Sequence, residues 1–209
     1  MTYDFKKLLK EHSAMKDNTL IYEIPTKPTR IWDLVVPIVY TNEGKTIDAY
    51  ISCDIGDSYH YNELCHVLKC ATSDNIIHIH INTHGGVVDS ALMIADAITK
   101  SKASVCAHLS GTVASSGTMI ALACNEFVVS PQLAFMIHNY SGGMAGKGHE
   151  LKARQNFMDH HLNGVFTTFY LGFLTQKEIA DVIDGTDIWM GAEEVLKRIE
   201  ARCRLRKPH

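Results

Sequence analysis

The sequence lacks long apolar segments and carries little net charge. No apolar run reaches the roughly 18 residues that a bilayer-spanning helix needs, and the first segment, MTYDFKKLLKEHSAMKDN, contains acidic residues and no apolar stretch typical of a secretory signal. The formal net charge of −3 gives no electrostatic reason to expect nucleic acid or an anionic membrane as a partner. We therefore expect a cytoplasmic protein that binds neither nucleic acid nor membrane.

Paired cysteines are also missing. None of the six cysteines forms a C-x-x-C pair, and most lie in apolar runs, where cysteine behaves as a small buried hydrophobe. A disulfide framework is not expected in a chain of 209 residues. The twelve histidines include His78-x-His80, which a strand would place on one face, and the pair His160-His161. Because no acidic residue or cysteine stands at a suitable spacing, we expect no metal site and no cofactor.

The composition is that of an ordinary globular protein, with 46% hydrophobic and 21% charged residues. The chain is long enough to bury a sizeable core, and it shows no internal repeat or low-complexity segment. Residues 1–30 form a polar extension that closes with Pro25-Thr26-Lys27-Pro28; it is interpreted as a short helix, a linker or a removable segment. Residues 31–209 are predicted to form one domain.

Short apolar runs alternate with amphipathic segments, which predicts an α/β fold with largely parallel strands. Two runs separated by Asn42-Glu43-Gly44 predict a hairpin over residues 34–53. The remaining strands are predicted at residues 76–82, 103–109, 126–130 and 133–138, and helices at 61–71, 89–100, 118–124 and 149–173. The last of these helices would protrude from a compact domain.

A serine stands among small residues in the segment Gly111-Thr112-Val113-Ala114-Ser115-Ser116-Gly117. The flanking runs predict a strand, a glycine turn and a helix in that order. The unpaired N–H groups and the positive dipole end of such a helix stabilise negative charge beside Ser115, as acyl transfer requires. Taken alone, such a turn is more often packing than catalysis, and Ser116 is a competing nucleophile.

Two further segments strengthen the catalytic interpretation. Thr83-His84-Gly85-Gly86 joins a second strand to a second helix, and adjacent glycines let the backbone come close to a bound chain. His138 ends the strand that contains Phe135-Met136-Ile137, where a histidine is usually structural. Beside a serine in a turn, however, it is a candidate general base, because its ordinary pKa of about 6.5 suits proton transfer near neutrality.

These segments resemble the ClpP family of serine endopeptidases, the proteolytic component of ATP-dependent proteases, over roughly residues 51–194. The family's G-x-x-A-S-x-G turn matches with Ser115 in the nucleophile position, and its M-I-H strand end matches with His138 as the base. The family's third residue, an Asp shortly before an aromatic, matches Asp187. Asp184 in the same loop competes with Asp187 on the residues alone, and only the family register favours Asp187.

The resemblance also implies roles for backbone groups. The N–H groups of Gly86 and Ser116 would form the oxyanion hole, and the loop residues Gly142, Gly143 and Met144 would align the substrate. Ser115 would attack the scissile carbonyl, His138 would transfer the proton to the leaving amine, and Asp187 would hold the imidazole tautomer.

The resemblance implies a ClpP/crotonase-like spiral of β-β-α units with a protruding long handle helix. The expected assembly is a homo-oligomer of stacked rings, heptameric by analogy, that encloses its active sites and is fed polypeptide by an AAA+ unfoldase. The apolar residues between Phe157 and Phe173 would contribute to contacts between rings or to packing within one subunit.

The chain departs from the family pattern at His84, which replaces a proline, at Asn139-Tyr140 after the base, and in the C-terminal segment after Glu194. Because of these departures, docking to a standard unfoldase does not follow from the resemblance. Divergent members include phage head-maturation proteases, for which the location would be the host cytoplasm. A non-catalytic ring subunit and a crotonase-type acyl-CoA enzyme are alternatives. The acyl-CoA enzyme would need a catalytic acid after the Gly85-Gly86 turn, and this sequence has none at the expected position.

Overall fold

The computed structural model describes residue 36, residues 38–143 and residues 145–206, except for the side chain of Arg206. The predicted polar extension at residues 1–30 lies outside the described residues, as does Met144. The described part contains seven strands: β1 Ile38–Thr41, β2 Thr46–Ile51, β3 Ile76–Thr83, β4 Ser104–Ala114, β5 Glu126–Val129, β6 Ala134–Ile137 and β7 Ile188–Gly191. Its helices are α1 Asn62–Cys70, α2 Val88–Lys100, α3 Ser116–Ala123, α4 Gly148–Tyr170, α5 Gln176–Ile183 and α6 Ala192–Arg206.

The strands form one mixed sheet in the order β1-β2-β3-β4-β6-β7, with β5 beside the first part of β4. The strands from β2 to β6 pair in parallel, whereas β1 and β7 pair antiparallel at the two edges. The predicted hairpin, formed by β1 and β2, is therefore confirmed, and so is the prediction of an α/β fold with largely parallel strands.

Strand β4 is longer than the sequence predicts. The predicted glycine turn that begins at Gly111 is wrong, because the strand continues to Ala114. Gly111 adopts a φ of +61° where β4 changes neighbours, pairing with β5 over residues 106–109 and with β6 over residues 112–114. Asn82 of β3 stabilises β4 where it changes neighbours, since the Asn82 Oδ1 accepts a hydrogen bond of 3.1 Å from the Thr112 amide. The chain consequently turns only at Ser115.

The core lies between the sheet and the helices. Strand β3 alternates buried isoleucines with partly exposed histidines, as expected for a strand with one face covered. Helix α3 is buried on all sides from Ser116 to Leu122, which marks it as a central helix. The hydroxyls of Thr118 in α3 and Tyr170 in α4 lie 2.7 Å apart in this core, so they satisfy each other's hydrogen-bonding needs. Burial raises the pKa of Tyr170 far above its usual value.

Helix α4 is long and largely exposed. The sequence predicts it at residues 149–173, and the structure places it at Gly148–Tyr170. Its buried side chains, Leu162, Phe166 and Tyr170, all belong to its C-terminal half. Phe157 is 62% exposed and stacks on His161. The N-terminal half of the helix thus extends beyond the core, as expected for the handle of a ClpP-like fold.

An ion-pair network fixes helices α5 and α6, which flank the loop that contains Asp184 and Asp187. The Arg198 guanidinium donates two hydrogen bonds to the Glu178 carboxylate, at 3.0 and 2.7 Å, and one of 2.7 Å to Glu194. Glu178 also accepts a hydrogen bond of 2.8 Å from the amide of Thr175, the residue before α5. These contacts, led by that of Arg198, lower the pKa of Glu178 to about 2.

We expect the Glu178→Gln variant to lose stability in a pH-dependent way. A pKa that is lower in the folded state stabilises the protein above the ordinary glutamate pKa of about 4.3, and this stabilisation disappears as the pH falls toward 2. The full shift corresponds to about 3 kcal/mol, and partial exposure of the pair reduces the expected loss to about 2 kcal/mol at neutral pH. Urea unfolding between pH 7 and pH 3 measures it.

The control is Asp181→Asn on the same helix. Asp181 pairs with Lys177 at 2.8 Å, but the two side chains are 42% and 85% exposed. We expect a change of less than about 0.5 kcal/mol for this variant. The prediction fails if the free energies of unfolding of the Glu178→Gln and wild-type proteins differ by the same amount at all pH values. Once Glu178 is protonated it carries no charge, so the difference from glutamine should then disappear.

Candidate active site

Ser115 occupies the turn between β4 and α3. Its backbone has φ +53° and ψ −131°, which is strained for a residue other than glycine. Two backbone hydrogen bonds hold it: the Ser115 amide donates to the Met136 carbonyl at 2.9 Å, and its carbonyl accepts from the Thr118 amide at 2.9 Å. The strained turn therefore keeps the serine side chain at the end of the strand and at the N-terminus of a buried helix.

Strands β4 and β6 bring Ser115 and His138 together. The two strands pair in parallel with Ala114 opposite Met136, so their C-terminal ends lie side by side. His138 Nε2 lies 2.8 Å from Ser115 Oγ, within hydrogen-bond distance. This is the geometry that lets an imidazole take the proton of a serine hydroxyl.

The neighbouring Ser116 is used differently. Its side chain is buried, and its Oγ donates a hydrogen bond of 3.2 Å to the Gly86 carbonyl. Of the two candidate nucleophiles in the sequence, only Ser115 contacts the histidine.

The Gly85-Gly86 segment passes directly beside Ser115. A Cβ atom on Gly85 would lie 2.5 Å from Ser115 Cβ, and one on Gly86 would lie 2.2 Å from the Ile55 carbonyl oxygen. Ile55 fixes this path, because its amide donates to the Gly85 carbonyl at 2.7 Å and its carbonyl accepts from the Val87 amide at 2.8 Å. The turn has room only for glycine, and its backbone faces the start of α3.

Asp187 lies one residue before β7, which pairs antiparallel with β6. Ile137 stands opposite Ile188, and continuing this register places Asp187 opposite His138. Both Asp187 and Asp184 are exposed, and among the described residues no hydrogen bond or ion pair joins either one to His138. The strand register favours Asp187 over Asp184, but the contact between aspartate and histidine is not formed here.

The segment after His138 is anchored by side chains whose role the sequence does not reveal. Asn139 Nδ2 donates to the Ile183 carbonyl at 2.8 Å, which links the end of β6 to the end of α5. The Tyr140 hydroxyl donates to the Asp159 carboxylate of α4, and this hydrogen bond is the main cause that raises the pKa of Tyr140. The sequence marks both residues only as departures from a family pattern; here they connect the base to two helices.

Two of the three predicted substrate-aligning residues, Gly142 and Gly143, belong to the described part of the chain. Gly142 and Gly143 are exposed, and a Cβ atom on either would meet no heavy atom within 4 Å. Met144 lies outside the described residues. The described part of the loop is therefore exposed, and it begins three residues after His138.

Comparison with known protein families matches residues 46–198 to the family described as Clp protease. This chain belongs to the Clp protease family. The matched region contains every described residue of the candidate site, from Gly86 to Asp187. Family membership agrees with the ClpP-like fold described above.

Two Clp protease relatives match this chain over about two thirds of their own length. The "ATP-dependent Clp protease proteolytic subunit 3" of Rhizobium meliloti is 33% identical over 135 residues, which is 61% of this chain and 67% of the relative. The "ATP-dependent Clp protease proteolytic subunit 2" of Pseudomonas aeruginosa is 32% identical over 138 residues, 63% of this chain and 66% of the relative. Within the described residues of this Clp protease family member, no helix has the length and apolar character needed to cross a bilayer.

Proposed function

We propose that this protein is a serine endopeptidase that hydrolyses peptide bonds with Ser115, His138 and Asp187. The observation that carries the proposal is the 2.8 Å contact between His138 Nε2 and Ser115 Oγ at a strained turn. It is supported by the names of the relatives, which are proteolytic subunits.

In the proposed mechanism, Ser115 Oγ attacks the scissile carbonyl carbon while His138 Nε2 accepts the hydroxyl proton. The negative charge on the carbonyl oxygen is stabilised by the N–H groups of Gly86 and Ser116 and by the dipole of α3. His138 then donates the proton to the leaving amine, and a water molecule hydrolyses the acyl-enzyme by the same route. The Asp187 carboxylate moves to accept a hydrogen bond from His138 Nδ1 and thereby favours the imidazolium form.

The proposal extends to the assembly. We infer a homo-oligomer of stacked rings, heptameric by analogy with the family, that receives unfolded polypeptide from an AAA+ unfoldase. The inference draws on the relatives' description as subunits of an ATP-dependent protease and on the exposed half of α4, where Phe157 offers apolar surface. We also propose that the protein is located in the cytoplasm.

A fluorophosphonate probe with peptide mapping tests the chemistry. An activated serine displaces fluoride from the probe and retains the phosphonyl group, whereas an ordinary hydroxyl does not react. We expect one adduct, on Ser115. The labelling rate should fall by about 10²- to 10⁴-fold in Asp187→Asn, because the wrong imidazole tautomer is then favoured.

Asp184→Asn is the matched control, since Asp184 lies in the same exposed loop. Its labelling rate should stay within about threefold of wild type, because it lies outside the β6–β7 register. An adduct on Ser116, or a larger effect of Asp184→Asn than of Asp187→Asn, would contradict the assignment. A folded, assembled protein that takes up no probe would indicate a non-catalytic ring subunit.

A further inference from the structure

A cluster of histidine and cysteine side chains lies on the face of the sheet opposite the buried isoleucines of β3. In the parallel pair β3–β4, His78 stands opposite Cys106 and His80 stands opposite His108. Residues two apart on a strand share a face, so these four side chains form a compact square. The opposite face of β3 carries the buried Ile77, Ile79 and Ile81.

Three members of this square are close enough to share one ion. The ligand atoms of His78, Cys106 and His108 all lie within 4.8 Å of one another, and His108 Nε2 is 2.9 Å from His78 Nδ1. Two nitrogens and one sulfur around a tetrahedral zinc ion lie about 3.3–3.7 Å apart, given bond lengths near 2.0–2.3 Å. Small side-chain rotations would therefore bring the three donors to coordination distance.

We propose that His78, Cys106 and His108 form a zinc-binding site. The donor set of two imidazoles and one thiolate is the type that zinc prefers over the oxygen ligands favoured by magnesium or calcium. Three protein ligands leave the fourth tetrahedral position for a water molecule or another donor.

The surroundings shield these side chains partly from solvent. His108 is partly buried, and its ring packs between those of His78 and His80, with 4.9 and 4.6 Å between ring centroids. Cys106 is buried, which protects a bound thiolate from solvent.

Neighbouring side chains orient the ligands. His80 Nε2 lies 2.7 Å from Asp48 Oδ1, and the His80 ring stacks on Tyr50 and packs against His108 with 4.6 Å between ring centroids. The contacts with Asp48 and Tyr50 hold the His80 ring, which in turn limits the positions open to the His108 ring. Spacing along the chain gives His78-x-His80 no cysteine partner, but the β3–β4 register supplies Cys106 from the adjacent strand.

The site is separate from the proposed catalytic centre. Cys106 precedes Ser115 by on the order of 30 Å of extended strand. Zinc binding therefore does not depend on the proposed peptidase activity, and the test can use the Ser115→Ala protein as well as wild type.

Cobalt provides the probe, because a cysteine thiolate bound to Co²⁺ gives a charge-transfer absorption band and zinc then displaces the cobalt. We expect reduced, metal-stripped protein to bind one Co²⁺ with this band and to melt at a higher temperature with zinc. Cys106→Ser should abolish the band, and His108→Asn should weaken zinc binding by more than the 10- to 100-fold typical of outer-shell changes.

Cys70→Ser is the matched control. Cys70 is exposed on α1 with its Sγ 3.5 Å from His66 Nε2, and this pair is an alternative surface site for the probe. The control should keep both the band and the zinc-dependent rise in melting temperature. The proposal is overturned if wild type gives no thiolate band, or if the band requires any cysteine other than Cys106. Melting curves without metal confirm that each variant folds.

Discussion

Replacing Ser115 with alanine is expected to reduce peptide hydrolysis by about 10⁴-fold or more. Ser115 Oγ is the only hydroxyl of the serine pair that contacts His138, at 2.8 Å, and alanine removes the nucleophile while leaving the histidine in place. The measurement is the initial rate of cleavage of a fluorogenic peptide and of an unfolded protein substrate. Gel filtration of the variant should match wild type, because the substitution removes one oxygen atom and keeps both backbone hydrogen bonds of Ser115.

Ser116→Ala separates the loss of the nucleophile from a general disturbance of the turn. It removes the 3.2 Å hydrogen bond to the Gly86 carbonyl, which we expect to cost about 1 kcal/mol of stability and at most about tenfold in rate. If Ser116→Ala were the inactive variant and Ser115→Ala kept its rate, the assignment of the nucleophile would be wrong.

The Gly86→Ala variant is expected to lose about 3 kcal/mol or more of stability together with its activity. The new Cβ would lie 2.2 Å from the Ile55 carbonyl oxygen and 2.8 Å from its amide nitrogen, at a φ of +144°. Both neighbours are backbone atoms, so the turn itself must shift. Because the Gly86 N–H is proposed to stabilise the oxyanion, the same shift removes a catalytic donor.

Urea unfolding and peptide cleavage measure the two effects, with Gly164→Ala as the control. Gly164 lies inside α4, where an added Cβ would meet no heavy atom within 4 Å. Alanine should stabilise this helix by about 0.5–1 kcal/mol. A Gly86→Ala protein with wild-type stability and rate would show that the turn can relax and that its backbone is not part of the site.

Most of the fold can be predicted because alternation and amphipathicity are properties of single segments. The hairpin, the parallel strands and the long helix follow from them directly. The error at Gly111 has a physical cause: glycine in a sequence suggests a turn, but here it provides a positive φ inside a strand that changes partners. Whether glycine bends a chain or ends a strand depends on the neighbouring strands, which the local sequence does not specify.

The candidate active site and the proposed zinc site could also be predicted only in part from the sequence. The motifs around Ser115 and His138 are visible in the sequence, but their contact depends on the pairing of β4 with β6. The approach of Cys106 and His108 to His78 depends on the β3–β4 register, so spacing along the chain could not reveal it. The roles of Asn139 and Tyr140 likewise require knowledge of which helices pack beside them.

The strand order has a consequence for synthesis on the ribosome. From β1 to β4 each new strand pairs with the one made just before it, β5 and β6 both add to β4, and β7 joins last at the edge. A nascent chain can therefore build its sheet in the order in which it emerges. Ser115 and His138 can meet before β7 is made, whereas Asp187 arrives only with that final strand. The proposed protease thus receives its last proposed catalytic residue when the sheet is complete, and a chain truncated before β7 would lack the group that orients His138.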